Sequence, residues 1–393
     1  MKLNLNCLEL LRFIIPVALL VGILLSFELW FPSTRSFPRA PLLIALPTAM
    51  VLLVERLLST ILMITLILIA IKCRPRIFSI VAIGSLCLLI FFDQMRLQPW
   101  IYQYFLMLTV LTLNNWPTTD APESNYTLAL LQLIVVALYF WSGIQKLNFS
   151  FIYETLPILL TPLQNIFPSP PLFALGVGIS LVEAFIGCGL LFQYTRKLCV
   201  GLAIAMHGFI LVLLIAKGYN SIVWAWNITL MVLVVLLFWQ NEKTPLQFLL
   251  ITWRTRLLGA RLATVLTMAT ILLPVLSFLG LWDMYLSGAL YSGNTVIGVI
   301  HINEGFFEKI PAIAQKQVFK TKRGEQILPL LEWSMAELNV PPYPESRVYR
   351  HLTRQVCKLA TNNSTVELII KERPAIFDGS YQVTRISCAQ LAQ

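Results

Sequence analysis

The stretch LCVGLAIAMHGFILVLLIA, residues 198–216, decides the fold class. It contains no Asp, Glu, Lys or Arg, and its length is close to the ~20 apolar residues with which an α-helix crosses a bilayer. A water-soluble domain could not hide such a run repeatedly, because it needs polar groups to cover its surface. The stretch therefore predicts a transmembrane helix.

Runs of the same kind recur through residues 1–281, and about nine of them approach the length of a span. The candidate spans are 11–31, 43–72, 77–92, 100–114, 127–146, 171–193, 198–216, 221–240 and 262–281. Pro47 and Glu55–Arg56 are expected to split the second run into an interfacial piece and a true span, and the fourth run is short. The run 11–31 is too long for the core of a cleavable signal peptide, so we interpret it as an uncleaved first helix.

The composition agrees with a membrane protein. The chain is 58% hydrophobic and 12% charged, with a mean hydropathy of +0.77, whereas soluble domains carry about 25% charged residues. The net charge of +10 does not indicate nucleic-acid binding, because the basic residues lie in short clusters between apolar runs. That distribution is typical of cytoplasmic loops. We expect membrane lipid as a partner, and no nucleic acid.

The basic clusters also predict the orientation. With a cytoplasmic N-terminus, the densest basic stretches fall inside: they are 72–76, 194–197 and 241–261. The loops that then fall outside are 93–99, 147–170 and 217–220. Two features disagree with the positive-inside rule: Arg35 and Arg39 fall outside, and the acidic loop 115–126 falls inside. The prediction is a multi-pass protein with its C-terminal domain on the periplasmic or lumenal side.

Two regions differ from the spans. The segment 147–170 is rich in proline and too broken to cross, so it is expected to lie at the outer interface or to re-enter the membrane. Residues 282–393 show ordinary polar alternation, with strands predicted at 295–301 and 365–371 and a helix at 346–359. The fold class is thus mainly α, a polytopic bundle followed by a small α+β extramembrane domain.

The seven cysteines have no CxxC or Cys/His spacing, so they predict neither a disulfide framework nor a metal site. Only Cys357 and Cys388, both in the polar C-terminal part, are placed to form a bridge.

Polar residues within or beside spans are costly and usually face a bundle interior or a cavity. Four such groups stand out: Asp93 with Arg96 and Gln98; Lys146 with Gln145 and Asn148; Glu183 with His207; and Trp226 with Asn227. All except the deeper Glu183 and His207 lie toward the outer side.

Three of these groups have both a structural and a functional interpretation. Asp93 and Arg96 can pair to anchor an outer turn, or they can line a site. Lys146 can extend to the headgroups, or it can lose its proton in an apolar pocket and act as a base. Glu183 and His207 can clasp adjacent helices, relay protons or hold a ligand.

Residues 139–148, Tyr-Phe-Trp-Ser-Gly-Ile-Gln-Lys-Leu-Asn, resemble the lysine motif of the HTTM family, the membrane domain shared with vitamin K-dependent gamma-carboxylase. The series Glu183, Arg196–Lys197, His207 and Trp224–Asn227 is also similar to patterns in HTTM and DoxX/MauE-like membrane proteins. The resemblance covers about residues 75–240. It implies that Lys146 serves as the base for a reduced quinone in an outward-facing pocket.

Two functions follow as expectations. The first is a quinone-linked, carboxylase-like or redox membrane enzyme, which could act on a protein substrate. Its catalytic candidates are Lys146, Glu183 and His207, and its cofactor-binding candidates are Asp93, Arg96, Gln98, Trp226 and Asn227. The second is a non-catalytic membrane subunit that docks partner subunits through its C-terminal domain, the buried polar residues being structural.

Overall fold

The computed structural model describes residues 2–32, 35–42, 48–114, 121–239, 244–245, 258–360 and 366–392. Within these ranges a helical bundle is followed by an α+β domain, so the predicted fold class is confirmed. The bundle helices are α1 (Lys2–Leu25), α2 (Thr48–Ala70), α3 (Pro75–Phe92), α4 (Pro99–Leu113), α5 (Ala121–Gln145), α6 (Leu172–Gly189), α7 (Gln193–Lys217), α8 (Ser221–Phe238) and α9 (Leu258–Leu272). A 3₁₀ segment, Leu273–Leu279, continues α9.

Eight of these helices are long and apolar enough to cross a membrane. The exception is α4, whose 15 residues extend only about 22 Å at 1.5 Å per residue. Most of its side chains are buried, and it contacts α1, α3, α5 and α9. A helix surrounded in this way is shielded from lipid by its neighbours, so it need not match the bilayer thickness.

The expected break at Glu55–Arg56 does not occur, because α2 runs through both residues without interruption. Glu55 is fully buried and forms an ion pair with Arg96, 2.9 Å between Oε1 and Nη1. Arg56 is exposed and donates to the carbonyl of Pro32. The carboxylate is thus neutralised inside the protein rather than placed in lipid, and the helix continues. Pro47 lies outside the described residues.

The C-terminal domain is built on one antiparallel sheet of five strands, in the order β2-β3-β1-β4-β5. The strands are β1 (Ile297–Ile302), β2 (Phe319–Lys320), β3 (Gln326–Pro329), β4 (Val366–Lys371) and β5 (Val383–Ser387). The helices after β3 are α10 (Leu330–Leu338), α11 (Ser346–Cys357) and α12 (Cys388–Ala392), and two single helical turns, Glu304–Phe307 and Ala312–Gln315, lie between β1 and β2. Residues alternate between buried and half-buried along β4, so one sheet face packs on α10 and α11. Cys357 and Cys388, the pair that the sequence left as able to bridge, form a disulfide that joins α11 to α12.

This domain contacts one end of the bundle, which we call the domain end. Asn339 donates to the carbonyl of Leu25, at the end of α1, and to Ser221, at the start of α8. Gln98, at the start of α4, donates to the carbonyl of Pro341. At the opposite end lie the α2–α3 and α6–α7 turns with their basic residues, which are Lys72, Arg74, Arg76, Arg196 and Lys197. Most of the basic loop 241–261 lies outside the described residues.

The proline-rich segment between α5 and α6 does not cross the bundle. It forms short helical turns, which are Phe151–Thr155, Leu156–Leu159 and Thr161–Leu163. Ile152 packs on Gly176, one turn into α6, and the ammonium of Lys217 at the end of α7 donates to the carbonyl of Ile158. The segment therefore lies over the domain end of α6 and α7, which agrees with the interfacial alternative.

Candidate functional site

Lys146 extends into the bundle rather than toward the headgroups. Its Nζ lies 2.6 Å from Oε2 of Glu183 on α6 and donates to Oγ of Ser142, one turn earlier on α5, at 2.7 Å. The two side chains of the ion pair are 12% and 9% exposed. Helical side chains lean back toward the helix N-terminus, and this direction carries the ammonium away from the end of α5. A lysine that merely reached for headgroups would extend the other way.

Two glycines bring α5 and α6 close enough for this pair. A Cβ on Gly143 would lie 2.4 Å from the backbone nitrogen of Ala184, the residue after Glu183. A Cβ on Gly187 would lie 2.6 Å from the backbone nitrogen of Phe140. Small residues at such crossings let two helix backbones touch in a membrane. Gly143 in the motif therefore has a direct role, because it sets the separation that Lys146 and Glu183 bridge.

A second buried network begins one turn before Ser142 on α5. The hydroxyl of Tyr139 lies 2.6 Å from Nε2 of His207, and Nδ1 of His207 lies 2.6 Å from Oδ1 of Asn227. The amide nitrogen of Asn227 donates to the carbonyl of Val223. These contacts join α5, α7 and α8 through polar groups.

The directions of these hydrogen bonds follow from their chemistry. The amide nitrogen of Asn227 donates to the carbonyl of Val223, so the amide oxygen of Asn227 faces His207. An amide oxygen can only accept a hydrogen bond. Nδ1 of the neutral imidazole then carries the proton, and Nε2 accepts from the hydroxyl of Tyr139. Asn227 thus selects the tautomer of His207, and the oxygen of Tyr139 keeps free lone pairs.

The expected direct pair between Glu183 and His207 is not formed. The carboxylate of Glu183 forms an ion pair with Lys146. The two ring nitrogens of His207 are hydrogen-bonded to Tyr139 and Asn227. Lys146 and Glu183 still lie close enough to act electrostatically on His207. The clasp between helices that the sequence suggested is therefore made by two adjacent networks instead of one pair.

An apolar groove of about 670 Å³ lies between the proline-rich segment and the domain end of α6 and α7. Its walls include Leu175 and Ile179 of α6 and Phe209 of α7, and its roof is formed by residues 157–171. Glu183 is one helical turn beyond Ile179 on the same side of α6. Lys146 and Glu183 do not line the groove themselves, and the pair lies one helical turn beyond its Ile179 wall.

Asp93 and Arg96 do not pair with each other. Asp93 binds Arg35, 2.7 Å from Oδ2 to Nη1, and Arg96 binds Glu55. Oδ1 of Asp93 accepts from the backbone nitrogens of Ala40 and Met95. Burial alone would raise the pKa of Asp93, but Arg35, Arg96 and the Ala40 N–H together lower it below its ordinary value. The carboxylate is therefore held in its charged form.

These residues belong to a buried charge cluster at the domain end, which is Arg35, Arg39, Glu55, Asp93 and Arg96. The C-terminal domain covers it: Gln355 donates to the carbonyl of Arg39, and Arg347 donates to Gln94. Gln98, predicted with this group, bonds the carbonyls of Met95 and Pro341. The cluster joins the connections before α2 and after α3 to the C-terminal domain, and it is separate from the Lys146 networks.

The other predicted residues divide in the same way. Trp226 is next to Asn227 in sequence, but its indole N–H donates to Oε1 of Gln103 on α4. Gln145 accepts from the amide of Asn294, and Asn148 donates to the carbonyl of Ser292, so both hold the connection to the C-terminal domain. Gln145 also donates to Ser277 in the bundle. Of the predicted set, the structure brings together Lys146, Glu183, His207 and Asn227.

Sequence reasoning missed Tyr139 and Ser142 as members of the site, although both stand in the quoted motif. Tyr139 and Ser142 precede Lys146 by seven and four residues, a spacing that places all three on one face of α5. In the part of the chain that the structure describes, no three His, Cys, Asp or Glu side chains converge to hold a metal ion. Compared with known proteins, the chain matches no family model, no curated protein and no solved structure.

Proposed function

We propose that this integral membrane protein is of the HTTM type, binds a lipophilic quinone-like ligand in the groove under the proline-rich segment, and transfers protons through Lys146 and Glu183. The observation that carries the proposal is the position of this ion pair, which lies one helical turn from an apolar wall of the groove. The volume of about 670 Å³ is within the range of small-molecule sites.

The residues fit a ligand that has an apolar body and a polar ring. The groove walls are almost entirely apolar, with Gln164 and Ser169 as exceptions in the roof. Two of the three N–H bonds of Lys146 go to Glu183 and Ser142, which leaves one for a ligand oxygen. A bound quinone supplies two-electron chemistry. The chain supplies an apolar groove, a donor at Nζ of Lys146, and an acceptor on Glu183 that lies 2.6 Å from Nζ and to which a proton can pass.

The proposal includes an orientation. The disulfide between Cys357 and Cys388 is the kind of bond that persists in oxidising compartments. The short basic turns lie at the end opposite to that domain, where the positive-inside rule places the cytoplasm. Both observations support a periplasmic or lumenal C-terminal domain, and hence a Lys146 site that opens on that side. The HTTM resemblance extends the proposal to carboxylase-like or redox chemistry there.

The test is quinone binding by the full-length protein in mild detergent. We expect a quinone to co-purify with the wild type and a short-chain quinone to bind reversibly. Leu175→Trp fills the groove and should reduce binding by at least tenfold, whereas Phe173→Trp, on the same helix but outside the groove lining, should not. Lys146→Met should weaken binding, and Lys197→Met at the opposite end should leave it unchanged. Absence of quinone in the preparation, together with equal binding by the two tryptophan variants, overturns the proposal.

A second function, a non-catalytic subunit, is favoured by a different observation. Lys146, Glu183, Tyr139, His207 and Asn227 each have a hydrogen-bond partner within this set without a ligand, as a structural clasp requires. In that case Lys146→Met would lower stability without any effect on quinone binding. Other membrane subunits would then co-purify with the wild type through its C-terminal domain.

A further inference from the structure

The connection between β4 and β5, residues 372–382, turns toward the bundle and rests on it. The backbone nitrogen of Phe149, just after α5, donates to the carbonyl of Ile376 at 2.8 Å. Gly379, with φ +68°, lies so close to the ring of Phe149 that a Cβ would meet it at 2.4 Å. Arg373 donates to the carbonyl of Ser277 beyond α9. The loop is therefore fixed at the domain end, between α5 and α9.

This loop exposes apolar side chains. Phe377 at its tip is 93% exposed, and Ile376 and Tyr381 are both 38% exposed. Burial of an apolar side chain is favourable, so leaving a phenylalanine ring in water is unfavourable. No residue in the described part of the protein covers Phe377.

The surroundings of the loop indicate which partner this is. Leu279 at the end of the α9 span and Leu281 just beyond it are 69% and 70% exposed. Tyr153 is exposed where its ring packs at a tilt against Phe149. The apolar surface of the loop thus continues the lipid-facing surface of the bundle. Lys371 lies over the ring of Tyr381, 4.9 Å from Nζ to the ring centroid, and a lysine beside aromatic rings is typical of a membrane interface.

We propose that the 372–382 loop is a membrane-surface anchor, which inserts Phe377 into the headgroup and acyl boundary of the leaflet on the side of the C-terminal domain. The anchor ties the sheet to the bilayer beside Phe149, three residues from Lys146. The domain is then held by lipid as well as by its hydrogen bonds to the bundle.

The strand register supplies a matched control. Ile297 pairs with Lys371 at the end of the strands nearest the loop, and Ile302 pairs with Gln326 at the opposite end. The β2–β3 turn, which contains exposed Lys322, therefore projects from the opposite end of the sheet. It belongs to the same domain and faces away from the proposed anchor.

The experiment uses spin labels on the full-length protein in liposomes. The free cysteines, which are Cys7, Cys73, Cys87, Cys188 and Cys199, are replaced by serine or alanine, and the disulfide is kept. A nitroxide is then attached at Phe377→Cys, at Lys322→Cys and, as a lipid reference, at Leu281→Cys. Collision rates are measured with oxygen, which concentrates in lipid, and with a water-soluble nickel chelate.

We expect the oxygen-to-nickel ratio at position 377 to exceed that at position 322 severalfold and to approach that at 281. A lipid-like ratio at 281 with a water-like ratio at 377 overturns the proposal, because the bundle is then embedded and the loop is not in the membrane. Phe377→Cys changes an exposed side chain, so it should not disturb folding, and binding of the quinone probe remains as a separate measure of the bundle.

Discussion

Lys146 and Glu183 form an ion pair between α5 and α6 at the level where the backbone of Gly143 touches that of Ala184. The lysine begins beyond the end of α5, and its ammonium lies one turn back, beside Ser142. The pair and the helix contact therefore depend on each other: the glycine allows the approach, and the charges neutralise each other within it.

The helix contact can be tested by adding one methyl group. Gly143→Ala should lower the free energy of unfolding by about 1–3 kcal/mol, because the new Cβ must displace a backbone rather than a flexible side chain. Gly178→Ala on α6 is the matched control, since no atom lies within 4 Å of its Cβ position. Thermal unfolding in detergent measures both variants. Equal stabilities would show that α5 and α6 do not pack as described.

The ion pair itself can be tested by a double-mutant cycle. Lys146→Met leaves the carboxylate of Glu183 without its partner, and removal of one member of a buried pair costs about 3–5 kcal/mol. The double variant Lys146→Met/Glu183→Gln should be more stable than the sum of the two single effects predicts. Strict additivity in the unfolding free energies would contradict a direct interaction.

The buried charge cluster makes a prediction that involves neighbouring residues on α2. Arg96→Met leaves Glu55 with Arg39 alone and should destabilise the protein by about 3–5 kcal/mol. Arg56→Met, next to Glu55 but on the exposed face, should change stability by less than about 1 kcal/mol. Chemical denaturation of both variants in the same detergent gives the comparison. A similar loss in both would mean that Glu55 is not held by Arg96.

The sequence was sufficient for the architecture because apolar runs and strand alternation are local signals. It also identified Lys146, Glu183, His207 and Asn227 as unusual, since each interrupts or borders an apolar run. It could not assign their partners. Arg35 meets Asp93 across 58 positions, and charge in a membrane protein pairs by proximity in space, not along the chain.

The same limit applies to Glu55. Its charge within an apolar run suggested a break in the helix, because no local residue could neutralise it. The neutralising Arg96 lies beyond the next helix in the chain. Gly143 stands in the motif, but its role as a close helix contact depends on the backbone of α6 that faces it, which the motif does not specify.

The link between bundle and domain should respond to pH through Glu345. Burial, helped by Asp283, raises the pKa of Glu345 above its ordinary value, although the N–H of Met284 opposes this. Between the ordinary glutamate pKa of about 4.3 and the raised one, the unfolded state releases its proton first. Folded stability should therefore fall as pH rises through that window.

Glu345→Gln should remove this fall, because glutamine cannot ionise and its oxygen can still accept from Met284. Unfolding of wild type and variant at about pH 4 and about pH 7 measures the effect. The variant should gain relative to the wild type at the higher pH. If the difference between the two proteins is the same at both values, Glu345 does not titrate in this way.

The disulfide permits a test of both stability and orientation. Cys357 and Cys388 are 31 residues apart, and closing a loop of that size stabilises a fold by about 3–4 kcal/mol through the unfolded chain. The double variant Cys357→Ser/Cys388→Ser should lose that amount, mostly in the C-terminal domain, because the bridge joins α11 to α12. Hydrogen exchange of these helices would locate the change.

The same cysteines test the orientation of the protein. Intact cells are reduced and treated with a membrane-impermeant maleimide. Labelling of Cys357 or Cys388 from outside is expected, while Cys73, exposed in the α2–α3 turn at the opposite end, should react only after the membrane is opened. The reverse pattern would place the C-terminal domain in the cytoplasm. Lys146 would then open to that side, and the orientation argued from the basic turns would be wrong.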